Sequence, residues 1–371
     1  MATTFLEPGG DATGNVALKT AGGMWDLITG TPTIATDIVH GSHVRSIANA
    51  NNTNNNFRVF NAVADAGSRY SIYFYIKTLP TATTTFASIS TTGNISLITL
   101  RVTSAGVLQL FSAAQLGSNG STLSTGTWYR ISLAYTLTST SINEFRVFKD
   151  GATDISVTNG TVSNTGTNRL SFGTVGADVT ADFRFSDIYI DNSNSLADTG
   201  NVWVTAKRPN ANGTVNNFTT QIGAGGSGYG TGHSPQVNER ALSVTNGWSV
   251  AAVAATTEEY NVESVSTGDI DLTGGTIVDY LGWVYTKALL AETGQIVVNN
   301  VSTNISITTA DTMFTQIAGS TTYPAGTGTD IGLVTGATVT TVNLYECGIV
   351  VAYIPAVTTP KFSNFLLMGV G

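Results

Sequence analysis

Short stretches in which apolar and polar residues alternate run through the first half of the chain. In residues 69–77, RYSIYFYIK, the alternation places Ile72, Phe74 and Ile76 on one face of a strand and tyrosines on the other. Such a pattern predicts a strand with one buried face. Further strands are predicted at residues 95–102, 107–113, 129–135, 145–149, 169–176 and 183–192.

Turn signals separate these segments. A short glycine-containing connection, 103–106, joins two of them, and the pairs Asp150-Gly151 and Asn159-Gly160 are typical of two-residue hairpin turns. Asn, Asp and Gly suit such turns because they tolerate a positive φ. At least seven short antiparallel strands and no helical periodicity predict an all-β protein, with a β-sandwich or jelly roll over residues 1–195.

The second half changes character twice. Residues 196–239 are rich in Asn, Gly and Ser, which predicts a linker or a long surface loop. Strand-length apolar segments then return and predict a second β-sandwich domain over residues 240–357. The tail, residues 358–371, ends in apolar residues that include Phe365 and Leu366. We expect it to dock on its own domain or on a partner subunit.

Composition narrows the possible functions. Charged residues make up 11% of the 371 residues, against about 25% in an average protein. The net charge is −8 and Lys and Arg together number 16, which argues against a nucleic-acid partner. The single cysteine, Cys347, cannot form an internal disulfide and is predicted to be a buried small hydrophobe. The first residues carry no signal-peptide pattern and no apolar run reaches about 20 residues, so we expect a soluble protein made in the cytoplasm, without membrane insertion.

Several of the predicted strands resemble, in sequence and in order, the strands of a known family. The segments WYRISL, FRVFKDG, LSFG and FRFSDIYID, at 128–133, 145–151, 170–173 and 183–191, resemble in their order the strands of the concanavalin A-like, laminin-G-like jelly roll. Residues 200–213 and 236–240 are similar to the join between a lectin-like domain and a second β domain in structural proteins of tailed bacteriophages.

This resemblance implies a non-enzymatic virion structural protein on the particle surface: a head (capsid) decoration, a tail fibre or a tail-associated adhesin. It also implies a homo-oligomer, for example a trimer, that contacts other capsid or tail proteins and host surface glycans. The alternative is a soluble carbohydrate-binding lectin module or a degenerate glycoside hydrolase. Glycoside hydrolases with the concanavalin A-like fold carry their catalytic carboxylates on one strand as E-x-D-x-x-E. This motif is missing from the sequence. We therefore predict no catalytic residues.

Carbohydrate binding would need aromatic rings and amides at the surface. Tyr73 and Tyr75 lie on the strand face opposite Ile72, and Asn54 and Asn55 supply amides, so these four are the candidate sugar-binding residues. The alternative is that both tyrosines only pack across strands on the outer face. Trp128 is predicted to be a core residue, whereas Trp203 and Trp248 are candidates for a partner interface, together with the apolar tail.

Metal binding has two candidate groups. Asp187 and Asp191 stand four apart on a strand and share a face, so they are candidates for a calcium site that Asn192 and Asn194 could complete. The alternative is a pair of solvated carboxylates. His40 and His43 lie near one another in a loop, but the sequence places no Cys or carboxylate cluster beside them, so we predict no metal there. No other cofactor is predicted.

Overall fold

A computed structural model describes most of the chain. It covers residues 3–7, 25–41, 43, 46–50, 56–59, 66–91, 93, 95–137, 143–162, 167–175, 180–223, 246–250, 255–267, 270–318, 322–324, 330–338 and 340–356. No helix occurs among these residues, and accordingly none is long and apolar enough to cross a membrane. The predicted all-β fold is confirmed.

Fourteen strands form the first half of the described structure. They are β1 Thr3–Glu7, β2 Leu27–Thr29, β3 Thr33–Ala35, β4 Ser46–Ala50, β5 Asn56–Val59, β6 Gly67–Thr78, β7 Thr84–Thr91, β8 Ser96–Val102, β9 Leu108–Phe111, β10 Trp128–Leu137, β11 Asn143–Lys149, β12 Ala152–Gly160, β13 Thr167–Val175 and β14 Asp182–Asp191.

Eleven further strands form the second half. They are β15 Trp203–Lys207, β16 Pro209–Asn216, β17 Thr220–Ile222, β18 Gly247–Val250, β19 Thr257–Val262, β20 Thr276–Ala288, β21 Glu292–Val298, β22 Val301–Ile307, β23 Thr312–Ile317, β24 Ile331–Val334 and β25 Val342–Ile354.

The first sandwich is a jelly roll of two antiparallel sheets. Sheet 1 has the order β12-β11-β10-β6-β14-β4-β3, with β1 also paired to β14, and sheet 2 has the order β2-β5-β13-β7-β8-β9. The alternation in β6 directs Ile72, Phe74 and Ile76 into the core, as predicted, where all three are fully buried. Phe74 stacks on Phe86 of the facing sheet with ring centroids 4.3 Å apart. The apolar faces of both sheets therefore meet in one core.

The turn predictions are partly confirmed. Asp150 and Gly151 both have positive φ and join β11 to β12, and Gly106 has φ +80° between β8 and β9. Asn159-Gly160 is not a turn. Gly160 pairs with Asn143 inside the β11–β12 ladder, and the register shifts between Asn143 and Phe145. The positive φ of Asn159 thus serves a β-bulge instead of a reversal of the chain.

The second sandwich is larger than predicted. Sheet 3 has the order β17-β18-β25-β20-β23, with β15 also paired to β25, and sheet 4 has the order β16-β19-β24-β21-β22. The prediction that residues 196–239 are a linker is wrong for β15, β16 and β17. These strands pair with β25, β19 and β18, whose hydrogen-bonding edges are available only in the folded domain. Pairing with distant strands overrides the loop-like composition of this segment.

One buried apolar cluster connects the two sandwiches. Alternating residues of β15, Val202 before it and Val204 and Ala206 within it, belong to the same cluster as the first core. So do Leu281 and Trp283 of β20. The opposite face of β20, with Tyr280 and Val284, packs into the separate core between sheets 3 and 4. Sheet 3 therefore buries both of its faces, one in each core.

Gly282 provides a test of the packing between sheets 3 and 4. A Cβ atom at this position would lie 2.3 Å from Cγ2 of Val298 and 3.0 Å from Cδ1 of Ile331. We expect Gly282→Ala to lower the free energy of unfolding by about 1–3 kcal/mol, because overpacking forces stiff core side chains apart. Denaturant unfolding of the full chain measures this.

The matched control is Gly93→Ala, whose Cβ would meet only the Thr91 hydroxyl oxygen at 3.6 Å. It should change stability by less than about 0.5 kcal/mol. Equal effects of the two substitutions would contradict the packing at Gly282.

Candidate functional site

The carboxylate of Asp187 is placed by an irregularity in β14. The pairing of β14 with β6 shifts register between Ser186 and Tyr189, and Asp187 has φ +48° within this bulge. Aspartate is among the few residues other than glycine that adopt the left-handed conformation. The bulge directs the Asp187 carboxylate to the outer face of sheet 1, where its side chain is fully buried under other parts of the chain.

Two histidines in the loop before β4 face this carboxylate. The His43 N–H donates to the His40 carbonyl at 3.0 Å, which closes a turn through Gly41 at φ +55°. A Cβ on Gly41 would lie 2.4 Å from Cζ3 of Trp203, so both the backbone angle and the space require glycine. The indole N–H of Trp128 donates to the Val39 carbonyl at 3.0 Å and fixes the start of the loop.

His40, His43 and Asp187 form a compact unit, here termed the histidine–aspartate cluster. Nδ1 of His40 lies 2.7 Å from Oδ2 of Asp187, and Nε2 of His43 lies 2.8 Å from Oδ1. Both histidines are buried. Burial alone would raise the pKa of Asp187, but the charge of His43 and the hydrogen bonds from both histidines together hold it well below its usual range. The cluster thus pairs a buried carboxylate with two buried imidazoles.

The second sandwich supplies a further bond to the cluster. The backbone N–H of Val204 in β15 donates to Oδ1 of Asp187 at 2.7 Å. Val204 belongs to the strand that pairs with β25 of sheet 3. Trp203 lies beside it, with its ring centroid 4.5 Å from that of His40. The cluster therefore lies where the two sandwiches meet, and Trp203, predicted for a partner interface, lies in this interface within the chain.

Tyr73 is part of the same interface. Its ring stacks on His40 with centroids 3.7 Å apart, and its hydroxyl donates to Oδ1 of Asn201. Burial, followed by the negative charge of Asp187, raises the pKa of Tyr73. The side chain is 8% exposed. The prediction that Tyr73 stacks on a sugar is thereby corrected, because the segment leading into β15 covers the ring.

The segment between β14 and β15 is tied down along the outer face of sheet 1. The guanidinium of Arg130 forms a bidentate ion pair with Asp198, with N–O distances of 2.8 and 2.6 Å. Arg69 donates to Asp191 at 2.9 Å and to the carbonyl of Asp198 at 3.2 Å. These contacts hold residues 196–202 against β6 and β10, so this part of the predicted linker is also a fixed element of the fold.

The predicted calcium ligands have separate partners. Asp187 is bound by the two histidines and Val204, whereas Asp191 accepts from Arg69 and from the backbone N–H of Ser193. Oδ1 of Asn192 accepts from the Ser68 hydroxyl at 2.7 Å. A shared calcium ion would have to displace these donors. Calcium binding by this pair stays a prediction.

Tyr75 and Trp128 form a second candidate site, here termed the aromatic platform. They are directly opposite one another on β6 and β10, and their ring centroids are 5.3 Å apart. Both are half-buried. The prediction that Trp128 is a core residue is wrong, because the register places it on the outer face with Tyr75 and leaves Tyr129 and Ile131 on the inner face.

A charged network borders the aromatic platform. Lys77, two residues after Tyr75, lies 2.8 Å from Asp37, and Arg184, which pairs with Tyr75 across β6 and β14, lies 3.3 Å from the same carboxylate. Arg184 also pairs with Asp182. The hydrogen bond from Lys77, against a smaller effect of burial, lowers the pKa of Asp37 to about 2. The platform is therefore flanked by an ionised acceptor and two cationic donors.

The remaining predicted site residues do not join either site. Trp248 is half-buried in β18 and packs against the core of the second sandwich. Asn54, Asn55, Phe365 and Leu366 lie outside the described residues. Cys347 is buried, as predicted.

The histidine–aspartate cluster was missed by the sequence analysis. The HGSH spacing brought the two histidines together, but their carboxylate partner is 144 positions from His43. A bulge that changes the direction of Asp187 leaves no signal in the alternation of β14. The usable signal was the pair of histidines in a short glycine turn.

Comparisons with known proteins give distant structural likenesses. No protein-family model and no curated protein matches the sequence. Among solved structures, an endo-β-1,4-glucuronan lyase from the fungus Trichoderma reesei aligns over 52% of this chain and 96% of its own, with 12% identity and a TM-score of 0.40. The cellulose-induced protein Cip1 aligns over 46% and 88%, with 17% identity and a TM-score of 0.35.

A third structure is domain 4 of AbnA, an extracellular arabinanase from Geobacillus stearothermophilus, in complex with arabinotriose. It aligns over 52% of this chain and 92% of its own, with 16% identity and a TM-score of 0.36. These three likenesses identify no ligand or activity of this chain.

The Asp191–Arg69 pair allows a test by pH. Burial raises the pKa of Asp191, but the bonds from Ser193 and the charge and bond of Arg69 outweigh it, so the folded-state pKa is lowered. A lowered pKa stabilises the fold above the unfolded value of about 4, and this contribution is lost as the pH falls through the folded pKa. We expect Asp191→Asn to lower the free energy of unfolding at pH 7 by about 1.5–3 kcal/mol.

The difference between the wild type and Asp191→Asn should shrink as the pH falls from 4 to 2.5, as measured by urea unfolding at each pH. A difference that is constant from pH 7 to pH 2.5 would contradict the lowered pKa.

Proposed function

We propose that this protein is a non-catalytic glycan-binding protein that binds sugar at the aromatic platform. The observation that carries the proposal is the pair of half-buried rings, Tyr75 and Trp128, side by side on the outer face of a jelly roll. Apolar faces of sugar rings stack on such side chains, and polar groups beside them reach the hydroxyls.

The charged network supplies those polar groups. Asp37 is about half exposed and accepts hydrogen bonds, and Lys77 is exposed to a similar extent and donates them. The side chain of Arg184, by contrast, is 5% exposed and holds Asp37 in position. Its role is therefore to orient a carboxylate that contacts the ligand.

The absence of catalysis is also a proposal, and the partners of the carboxylates support it. In the second sandwich, Glu258 accepts from the backbone N–H of Phe218 at 2.9 Å, and Asp330 accepts from that of Val262 at 2.9 Å. In the first sandwich, Asp154 accepts from the backbone N–H of Ser121. Carboxylates used to satisfy buried backbone donors are held in structural positions instead of facing a scissile bond.

We propose further that this protein is part of a tailed-bacteriophage virion, as a head decoration, fibre or tail-associated adhesin that contacts host glycans. The support is the resemblance of residues 200–213 and 236–240 to phage structural proteins, together with the way the two sandwiches are joined. A shared apolar cluster joins them, and the single cysteine leaves the chain without an internal disulfide. A soluble lectin module is the second candidate, and the aromatic platform fits both.

Substitution of the aromatic platform tests glycan binding. We expect the wild type to bind a defined class of oligosaccharide on an array of bacterial and plant glycans. Tyr75→Ala should weaken this binding by about tenfold or more, since loss of one stacking ring costs about 1.4 kcal/mol. Tyr75→Phe, which keeps the ring, should retain most of the affinity. Titration calorimetry with the array hit measures both.

Phe111→Ala is the control, because Phe111 is a half-buried ring in β9 of the other sheet. Loss of binding in Tyr75→Ala but not in Phe111→Ala supports the platform. An array without any binding contradicts glycan recognition.

Light scattering separates the two candidate roles: a stable homo-oligomer favours the virion component and a monomer favours the lectin module.

A further inference from the structure

The buried carboxylate of Asp187 differs from its neighbours in how its charge is balanced. On or against the same sheet, Asp191 faces Arg69, Asp198 faces Arg130 and Asp182 faces Arg184. Asp187 is fully buried, and among the described residues no Lys or Arg contacts it. Its charge must be balanced locally, because an uncompensated buried anion is strongly destabilising. The groups available for this are the imidazoles of His40 and His43.

The donor atoms of the cluster are arranged as the ligands of a metal ion would be. One nitrogen of His40, one nitrogen of His43 and one carboxylate oxygen of Asp187 all lie within 4.8 Å of one another. They come from two distant segments, a turn before β4 and a bulge in β14. Two imidazole nitrogens and one carboxylate oxygen form a donor set typical of zinc sites with three protein ligands, in which a water molecule takes the fourth position. Calcium, in contrast, prefers oxygen ligands alone.

The groups around the cluster hold these donors in place. Tyr73 stacks on the His40 ring, and Trp128 and Trp203 lie 5.4 and 4.5 Å from it, centroid to centroid. The Val204 N–H donates to Oδ1 of Asp187 at 2.7 Å. Outer contacts of this kind, to ligand rings and ligand carboxylates, orient the ligands.

We propose that His40 Nδ1, His43 Nε2 and the Asp187 carboxylate bind one divalent transition-metal ion of the zinc type. The ion takes the place between the imidazole nitrogens and the carboxylate that protons hold in the metal-free cluster. It joins the turn 40–43 to β14 and, through the Val204 bond, to the second sandwich. It ties the two sandwiches together, and its binding does not require a glycan at the aromatic platform.

Zinc titration of the full chain tests the proposal. After dialysis against a chelator, we expect the protein to take up one zinc ion per chain and to melt at a higher temperature with zinc than without. His43→Gln and Asp187→Asn keep the side-chain size, and asparagine tolerates the left-handed backbone at position 187. Each should weaken zinc binding by at least about 100-fold, because loss even of an outer contact to a ligand costs 10- to 100-fold.

Asp191→Asn is the matched control, since it removes a buried carboxylate from the same strand outside the cluster, and it should still bind one zinc ion. NMR of the histidine ring nitrogens in the wild type needs no variant: zinc should shift Nδ1 of His40 and Nε2 of His43. Failure of the folded wild type to bind zinc at 100 µM would overturn the proposal. So would zinc uptake that leaves these nitrogen signals unchanged, or that survives both cluster substitutions.

Discussion

The way in which the two sandwiches are joined depends on one buried carboxylate. Asp187 accepts hydrogen bonds from a turn that precedes β4 and from the first strand of the second sandwich, while its own backbone belongs to the central region of sheet 1. Bonds to an ionised, desolvated acceptor are about twice as strong as neutral ones. They are also directional, whereas the apolar cluster around them is not. The apolar cluster supplies most of the attraction between the sandwiches, and Asp187 fixes how they are placed relative to each other.

This junction divides the outer face of sheet 1. On one side, Tyr73 and Arg130 are covered by the chain that leads from β14 into β15. On the other side, Tyr75 and Trp128 stay partly open beside Asp37 and Lys77. Tyr73 and Tyr75 lie on the same face of β6 and yet have different environments. The proposed glycan site and the proposed metal site are neighbours on one face, with the Trp128 ring close to His40 and to Tyr75.

Local patterns predicted the strands but not the junction. The alternation in β6 was sufficient to assign its inner face, because one-sided burial imposes a period of two residues. It did not prevent the wrong assignment of Trp128, at the start of β10, to the core. It could not show which part of the outer face is covered by a strand from far along the chain. β15 pairs with β25, about 150 residues later, and its sequence neighbours are rich in Asn and Gly. The bulge at Asp187 was likewise invisible, since an aspartate at positive φ reads in sequence like any other polar strand residue.

Hydrogen exchange at the Val204 amide tests the central role of Asp187 most directly. Among the strands that the structure describes, β15 pairs with β25 alone, and the Val204 N–H donates to the Asp187 carboxylate. If Asp187 joins the sandwiches, this amide exchanges as slowly as that of Val351 in the centre of sheet 3, because both open only when the structure unfolds. Fast exchange at Val204, with Val351 still protected, would show that the second sandwich is not held by this carboxylate.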